Sequence, residues 1–224
     1  AHTLPPPAGR EIWELLSDHE RRVADGEGDA LPGASRFAKV FGAEEWGRLL
    51  GFWHDLGKYS IAFQNYLAVS TGILDSVHGS EMSGKVDHST AGARHAAACN
   101  PASLGILLAY CIAGHHAGLS DHLSLLKRLR KPIEPFDAAP ADLLDRPLPP
   151  MPKLDLGGSR RSACFAIGFF TRMLFSCLVD ADFLATEWFM NPDRAAQRSR
   201  AGASPAELLA RLDRHLDEKR RQAE

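Results

Sequence analysis

Apolar residues recur at helical spacing along almost the whole chain. Ile12, Leu15 and Leu16 share one helix face near the N-terminus, three to four residues apart. Segments in which polar and apolar residues strictly alternate, as in half-buried strands, are essentially absent. The pattern therefore predicts an all-α fold. The two segments that are apolar over most of a helix surface, 102–114 and 162–188, are expected at its centre.

Prolines mark the parts of the chain that lie outside this helical core. Half of the 14 prolines fall in 132–152, which we predict to be a surface loop. Residues 1–10, with the run Pro5–Pro7, are expected to be flexible. An amphipathic helix is predicted at 204–222. A chain of 224 residues is long enough for one substantial core, so we expect a single domain over 1–224.

The net charge, the cysteines and the longest apolar segment limit the classes of protein to which this chain can belong. The net charge is only −2, so any contact with nucleic acid must depend on local basic patches. The four cysteines are scattered singly in apolar surroundings, which is typical of reduced thiols in an intracellular protein. Arg172 and Asp180 interrupt the longest apolar segment, so no membrane span of roughly 20 clean residues is expected. A cytoplasmic location without a membrane partner is predicted.

The ten histidines are the unusual part of the composition, and several occur in motifs with acidic residues. The motifs are LLSDHERRVA with His19, GFWHDLGKYS with His54, Asp55 and Lys58, KVDHSTAGARHA with His88, and YCIAGHHAGLSDH with His115 and His116, followed by the pair Asp180 and Asp182. Neutral imidazole and carboxylate suit divalent transition metals. Helical bundles commonly bind such ions with ligands from several helices.

An adjacent His–Asp pair at a helix end can direct its two side chains toward two neighbouring ions. The carboxylate then bridges the ions, and a two-metal site of this kind activates water and neutralises charge in phosphoryl transfer. A carboxylate inside an apolar helix is costly unless it is paired or metal-bound, which also singles out Asp180 and Asp182. Each motif alone has an ordinary structural explanation, for example pairing of these aspartates with Arg172. The ordered series is much harder to obtain by accident.

These motifs resemble those of a known family. GFWHDLGK is similar to the signature of the HD phosphohydrolase superfamily. DHSTAGA, GHHAG and LVDADFLATE resemble one branch of it, the HD nuclease domain of the helicase–nuclease of type I CRISPR–Cas interference. The resemblance extends from about Ile12 to Glu187. It implies an all-α HD-domain helical bundle with the metal site in a cleft between central helices.

The resemblance also implies a ligand set. One metal would be held by His19, His54, Asp55 and Asp182, and the second by Asp55, as the bridge, with His88, His115 and His116. Lys58 would lie near the scissile phosphate and balance charge. Because the sequence reads VDAD, Asp180 stays an alternative to Asp182, which aligns with the aspartate of the family's Ala-Asp ending. His95 is interpreted as a supporting or surface residue.

The activity implied is metal-dependent endo- and exonucleolytic hydrolysis of single-stranded DNA by a two-metal-activated water, in target degradation during CRISPR interference. Two ions of Mn²⁺, Ni²⁺, Co²⁺ or Fe²⁺ are expected, without an organic cofactor. The implied partners are a superfamily 2 helicase, fused downstream or separate, and a crRNA-guided surveillance complex. The chain has no helicase motifs. Its tail helix favours a fragment of a longer helicase–nuclease over a naturally separate chain.

Two other functions remain open at this stage. An HD-type nucleotide or cyclic-dinucleotide phosphohydrolase would use similar chemistry but needs a closed pocket for a base. A non-catalytic bundle would keep the histidines for a structural metal. The basic cluster Lys127, Arg128, Arg130 and Lys131 has two interpretations as well. It could follow a phosphate backbone, but a solvated helix face is favoured.

Overall fold

A computed structural model describes residues 13–71, 86–198 and 203–223, and these residues are almost entirely helical. The helices are α1 Leu16–Asp25, α2 Ala34–Lys39, α3 Glu44–Trp53, α4 Ile61–Ser70, α5 Ser89–Ala98, α6 Ala102–Gly114, α7 His122–Leu129, α8 Ala141–Leu144, α9 Arg160–Met190, α10 Pro192–Gln197 and α11 Pro205–Ala223. A turn of 3₁₀ helix, Leu56–Tyr59, follows α3. Two short antiparallel strands, β1 Gly26–Glu27 and β2 Leu31–Pro32, pair Gly26 with Pro32. The all-α prediction is confirmed.

The core lies between α3, α5, α6 and α9. Helix α3 buries Trp46, Leu50 and Trp53, which are three to four residues apart and so lie on one face. Helix α6 is apolar on nearly all sides and packs against both α5 and α9. Burial on several sides is what such a helix requires, because no face of it is suited to water. The predicted central position of 102–114 agrees with this arrangement, whereas 162–188 enters the core with one face only, and Phe165 and Phe169 near its start are exposed.

The proline-rich segment 132–152 is attached to the core more firmly than its composition suggests. Its backbone is irregular except for α8, as expected of a loop. The indole nitrogen of Trp53 donates a hydrogen bond to Leu143 O at 2.7 Å, and that of Trp46 donates to Pro150 O at 3.1 Å. Leu143 itself is completely buried. The N–H group of a buried indole needs a hydrogen-bond acceptor, and the loop supplies one to each tryptophan. Two buried indoles therefore fix this loop.

Two glycines allow the close approaches that bring the motifs together. Gly51 in α3 lies directly against Ala24 of α1, and any Cβ at this position would collide with the Ala24 backbone. Gly57 donates its N–H to His88 O at 3.1 Å, and a Cβ there would collide with the same carbonyl. The first contact places α1 next to the end of α3. The second places the His–Asp turn next to the start of α5.

Helix α9 is long and apolar enough to cross a membrane by length and composition alone. This criterion tolerates two charged residues, so the expectation that Arg172 and Asp180 exclude a membrane span stays a prediction. The core helix of a bundle passes the same test, and the buried face of α9, with Phe170, Leu174 and Leu178, belongs to the hydrophobic core. The cytoplasmic location stays a prediction.

The described residues form two compact units, one up to Asn191 and one from Pro192 onward. The second unit contains α10 and α11, and α11 begins and ends within one residue of the predicted helix 204–222. Ser204 caps α11, because its hydroxyl accepts from Glu207 N while Glu207 Oε2 accepts from Ser204 N at 2.7 Å. Whether 1–224 is a single domain stays a prediction, and residues 1–10 lie outside the described part.

Candidate metal centre

Five separate elements bring the predicted site residues to one place. His19 lies in α1, His54 and Asp55 follow α3, His88 precedes α5, His115 and His116 follow α6, and Asp182 lies in α9. They form two sets in which the ligand atoms lie within 4.8 Å of one another. We name them the first ligand group, His19, His54 and Asp182, and the second ligand group, Asp55, His88, His115 and His116.

Asp55 lies between the two groups. Its Oδ2 is 3.3 Å from His54 Nε2 and 3.8 Å from His19 Nε2. Its Oδ1 is 3.5 Å from His88 Nε2 and 3.7 Å from His115 Nε2. One carboxylate oxygen thus faces each group, which is the arrangement that a bridging carboxylate requires.

The two candidate aspartates of α9 lie in different surroundings. Asp182 Oδ1 is 3.2 Å from His19 Nε2 and 3.7 Å from His54 Nε2. Asp180, two residues earlier, is exposed and belongs to neither ligand group. Because successive helical residues point in directions about 100° apart, only one of the two can face α1. The geometry favours Asp182 as the ligand.

Backbone carbonyls orient the imidazole rings. The Nδ1 of His54 is 2.8 Å from Gly51 O, and the Nδ1 of His115 is 2.7 Å from Ile112 O. A carbonyl oxygen only accepts, so each Nδ1 carries a hydrogen, and in the neutral ring Nε2 presents its lone pair. These Nε2 atoms are the ones directed at the cluster. The ring orientation is that of metal-ligating histidines, whose other nitrogen is held by an outer partner.

Burial keeps the histidines of the second ligand group neutral. Burial, reinforced by the positive charge of His54, lowers the pKa of His115 to about 3. Burial also lowers the pKa of His88 and of the more exposed His116. A metal ion binds the unprotonated imidazole, so these rings are in the binding form at neutral pH.

The carboxylates of the cluster are ionised despite their burial. Burial alone would raise the pKa of Asp55, but His54 and Lys58 outweigh it and hold that pKa well below its ordinary value. The pKa of Asp182 is likewise held well below its ordinary value, because hydrogen bonds from His19 and His54 outweigh burial. In turn, Asp55 and Asp182 hold the pKa of His54 well above its ordinary value against the effect of burial. Without a metal ion, the cluster therefore contains two ionised carboxylates beside a protonated His54.

The donor set fits a divalent metal ion. Within the described residues, the buried atoms Asp55 Oδ1 and His115 Nε2 have no hydrogen-bond partner. Buried polar atoms without partners are rare and costly in folded proteins. Both atoms point into the second ligand group, where a cation would satisfy them. A set dominated by imidazole suits Mn²⁺, Fe²⁺, Co²⁺ or Ni²⁺ better than Mg²⁺, which prefers oxygen.

Lys58 is bound to the same carboxylate. Its Nζ is 2.6 Å from Asp55 Oδ2, and the side chain is buried. Burial alone would lower the pKa of Lys58, but the charge of Asp55 outweighs it and raises that pKa, so the ammonium group stays charged. His95, by contrast, is in neither ligand group, and its ring packs edge-on against Trp53 at 4.7 Å. That contact makes it a packing residue.

Three supporting residues were missed by the sequence analysis. Glu14 is buried, with Oε2 3.3 Å from His19 Nδ1, and it also pairs with Arg22. Glu20 is completely buried and accepts a hydrogen bond from Tyr59 at 2.7 Å, and burial raises its pKa to about 8. The third is Arg128, which the sequence analysis assigned to a basic surface cluster. Its guanidinium group donates hydrogen bonds to Asp87 and Ser89, on either side of His88. The signal for Glu14 was its position inside the apolar run IWELL.

The cluster is accessible from one side. His116 is exposed, and the side chain of Asp182 retains 14% of its accessible surface, whereas His19 and His54 are completely buried. A separate apolar cavity of about 690 Å³ is lined by Phe41, Phe165, Phe169 and other residues of α9 and the loop before it. None of its lining residues belongs to either ligand group. It is therefore not the base pocket that a nucleotide phosphohydrolase would need beside the cluster.

Comparison with known protein families gives a match. The sequence model of a protein family described as "Cas3, HD domain" matches residues 30–147, more than half of the chain. The matched range includes His54 and the whole second ligand group. His19 and Asp182 lie on either side of it. No curated protein matches the chain.

Proposed function

The chain belongs to the Cas3 HD-domain family, and from this premise we propose that it cleaves single-stranded DNA in type I CRISPR interference. Family membership implies a metal-dependent HD phosphohydrolase that acts on nucleic acid in a CRISPR system. The finer proposal is endo- and exonucleolytic hydrolysis of phosphodiester bonds in single strands. The observation that carries it is Asp55, whose two oxygens face two separate sets of metal-ligand atoms.

We assign two divalent ions to this site. The first ligand group together with Asp55 would hold one, and the second ligand group would hold the other. Bound there, such ions would activate water and neutralise the charge that develops on a phosphate in an in-line displacement. The histidine-rich donor set supports Mn²⁺, Co²⁺, Ni²⁺ or Fe²⁺ as the activating ion.

The protein's own residues prepare the site before substrate arrives. Asp55 is ionised at neutral pH because its pKa is held low, so it is ready to act as a ligand without losing a proton. The carbonyls of Gly51 and Ile112 fix the rings of His54 and His115, which removes rotamer freedom from these ligands. Lys58 supplies a permanent positive charge next to Asp55, where it would balance the charge of a bound phosphate.

Access and surface charge support a polymeric substrate. Within the described part of the chain, the cluster opens to solvent at His116, where a bound strand would lie across it. Lys127 and Arg130 are exposed on and just after α7, and Arg128 between them donates a hydrogen bond to Ser89, the residue after His88. Exposed cations at this position would contact backbone phosphates of a bound strand. A helicase, fused or separate, would supply the unwound strand, and a crRNA-guided surveillance complex would select the target.

A cleavage assay on circular single-stranded DNA tests this function. Metal-free protein is incubated with Mg²⁺, Mn²⁺, Ni²⁺, Co²⁺ or Zn²⁺ in parallel, and products are resolved on gels. Cleavage is expected with Mn²⁺, Ni²⁺ or Co²⁺, because these ions suit the donor set. It should disappear in Asp55→Asn and persist in Asp29→Asn, a matched change at an exposed carboxylate that pairs only with Arg36 among the described residues.

The same assay separates the other candidate functions. Hydrolysis of mononucleotides or cyclic dinucleotides without cleavage of DNA would indicate the nucleotide phosphohydrolase instead. Metal-loaded protein that hydrolyses none of these substrates would indicate a bundle with a structural metal. Cleavage that persists in Asp55→Asn would contradict the proposed site.

A further inference from the structure

Arg128 of α7 is hydrogen-bonded to the chain segment around His88. Its Nε donates to Thr90 Oγ1 at 2.8 Å, and its Nη2 donates to Ser89 Oγ at 2.7 Å and to Asp87 Oδ1 at 3.2 Å. Three of the four residues from 87 to 90 therefore bind one guanidinium group, and the fourth is His88. Arg128 thus holds the turn that presents His88 to the second ligand group.

The same turn is closed by its own hydrogen bonds. Asp87 Oδ1 accepts from Thr90 N at 3.1 Å, and Asp87 Oδ2 accepts from Thr90 Oγ1 at 2.6 Å. These bonds satisfy part of the free N-terminus of α5. Because Arg128 binds both partners, a displacement of its guanidinium would move the whole turn, His88 included.

Arg128 also reaches the end of α6. Its Nη1 donates to the carbonyl of Ala113, two residues before His115 and three before His116. His88 Nε2 and His116 Nε2 are only 3.0 Å apart, so the spacing between the two backbone segments decides how these rings meet. One side chain thus joins the segment that carries His88 to the segment that carries the other two histidines of the group.

We propose that Arg128 is a positioning residue that sets the distance between His88 and the His115–His116 pair, and thereby the affinity of the second ligand group for its ion. The inference rests on the proposed two-ion function. Its selectivity follows from the contacts, because within the described residues the hydrogen bonds of Arg128 go to residues within two positions of His88 or His115 and to none within two positions of a member of the first ligand group. Arginine suits this role because its planar fork donates in several fixed directions at once, which lysine cannot do.

Arg94 provides a matched control. It is an exposed arginine of α5 whose Nη1 donates to Lys131 O at 3.1 Å, just after α7. Among the described residues, its guanidinium group therefore joins α5 to the same neighbouring segment by a hydrogen bond that involves neither the side chains of 87–90 nor the end of α6. If metal affinity depends only on general contact between these segments, Arg94 and Arg128 variants should lose affinity alike. If it depends on ligand positioning, only Arg128 variants should lose it.

The test is a Co²⁺ titration of metal-free protein, followed by visible absorption and by equilibrium dialysis. Wild-type protein should bind two ions. In Arg128→Met one ion should bind about 10–100-fold more weakly, the usual consequence of losing an outer partner of metal ligands, and the other should stay within about threefold. Arg128→Lys should weaken the same ion, because it keeps the charge but loses the fork. Arg94→Met should match the wild type.

Other results would overturn the inference. If Arg128→Met lowers the affinity for both ions equally, Arg128 has a general packing role. If it changes neither affinity, Arg128 has no role in metal binding. If circular dichroism shows that Arg128→Met does not fold, Ser89→Ala and Asp87→Asn serve instead. Each weakens the hydrogen bonding between Arg128 and residues 87–90 while keeping the arginine. Selective weakening of one ion in these variants supports the proposal, and its absence in both overturns it. Wild-type protein that binds fewer than two ions would contradict the two-ion site itself, a failure visible without any variant.

Discussion

The two ligand groups differ in how the chain assembles them. The first joins α1, the end of α3 and α9, which are far apart in sequence, and its two histidines are completely buried. The second comes from a continuous part of the chain, 55–116, and opens to solvent at His116. The first group therefore depends on long-range packing of α9 against α1. The second depends on local turns at the ends of α3, α5 and α6.

The family match covers the two ligand groups unequally. Residues 30–147 contain every ligand of the second group but leave out His19 and Asp182. The two missing residues meet only because Gly51 lets α1 approach α3 and because the buried face of α9 enters the core. Asp55 is the one residue that belongs to both environments. The comparison predicts that variants fall into three classes, affecting both groups, one group or neither.

The largest effect is expected for Asp55→Asn. The amide keeps the shape of the side chain but removes the charge that faces both groups, so both ions should bind more than about 100-fold more weakly, beyond the usual range for an outer partner. Isothermal titration with Mn²⁺ measures both affinities. Asp29→Asn is the control for loss of one carboxylate. Weakening of only one ion in Asp55→Asn would mean that the carboxylate does not bridge.

The next largest effect is expected for variants that remove a ligand from only one of the two groups. His19→Ala should abolish one ion and leave the other near its wild-type affinity, and His88→Ala should abolish the other ion. The reason is that the Nε2 atoms of these rings face opposite oxygens of Asp55. Bound metal per protein, measured by mass spectrometry of dialysed samples, should fall from two to one in each variant. A drop to zero in either single variant would show that the two ions bind only as a pair.

A smaller effect is expected for Glu14→Gln. Glu14 lies against His19 Nδ1, so loss of its charge should reduce the basicity of that imidazole. The ion of the first ligand group should bind about 10–100-fold more weakly, with the ion of the second group unchanged. Titration of Glu14→Gln and of the double variant with His19→Ala measures this. An effect of Glu14→Gln that persists when His19 is already absent would contradict an action through His19.

The smallest effect is expected for Asp180→Asn. Asp180 is exposed and outside both ligand groups, so affinity for both ions should stay within about twofold of the wild type. Asp182→Asn, the same change two residues further along α9, should weaken the ion of the first group. Metal titration of the pair decides which aspartate is the ligand. The reverse result would assign this role to Asp180.

The sequence identified the candidate ligand residues that the structure brings together, but it did not identify most of the contacts that support them. His54, Asp55 and the histidines of the second group carry a spacing pattern that a local motif can show. Arg128 could not be distinguished from its basic neighbours, because what matters is that its fork reaches Ala113 and residues 87–90, and this depends on the packing of α7. The choice of the face of α9 that enters the core, and the anchoring of 132–152 by two indoles, likewise depend on tertiary contacts that no local pattern records.

The most direct test of the two-group arrangement is anomalous diffraction from crystals grown with Mn²⁺. Two manganese peaks are expected, one bordered by His19, His54 and Asp182 and one by His88, His115 and His116, with Asp55 between them. A single peak, or two peaks of which neither lies beside Asp55, would contradict the account.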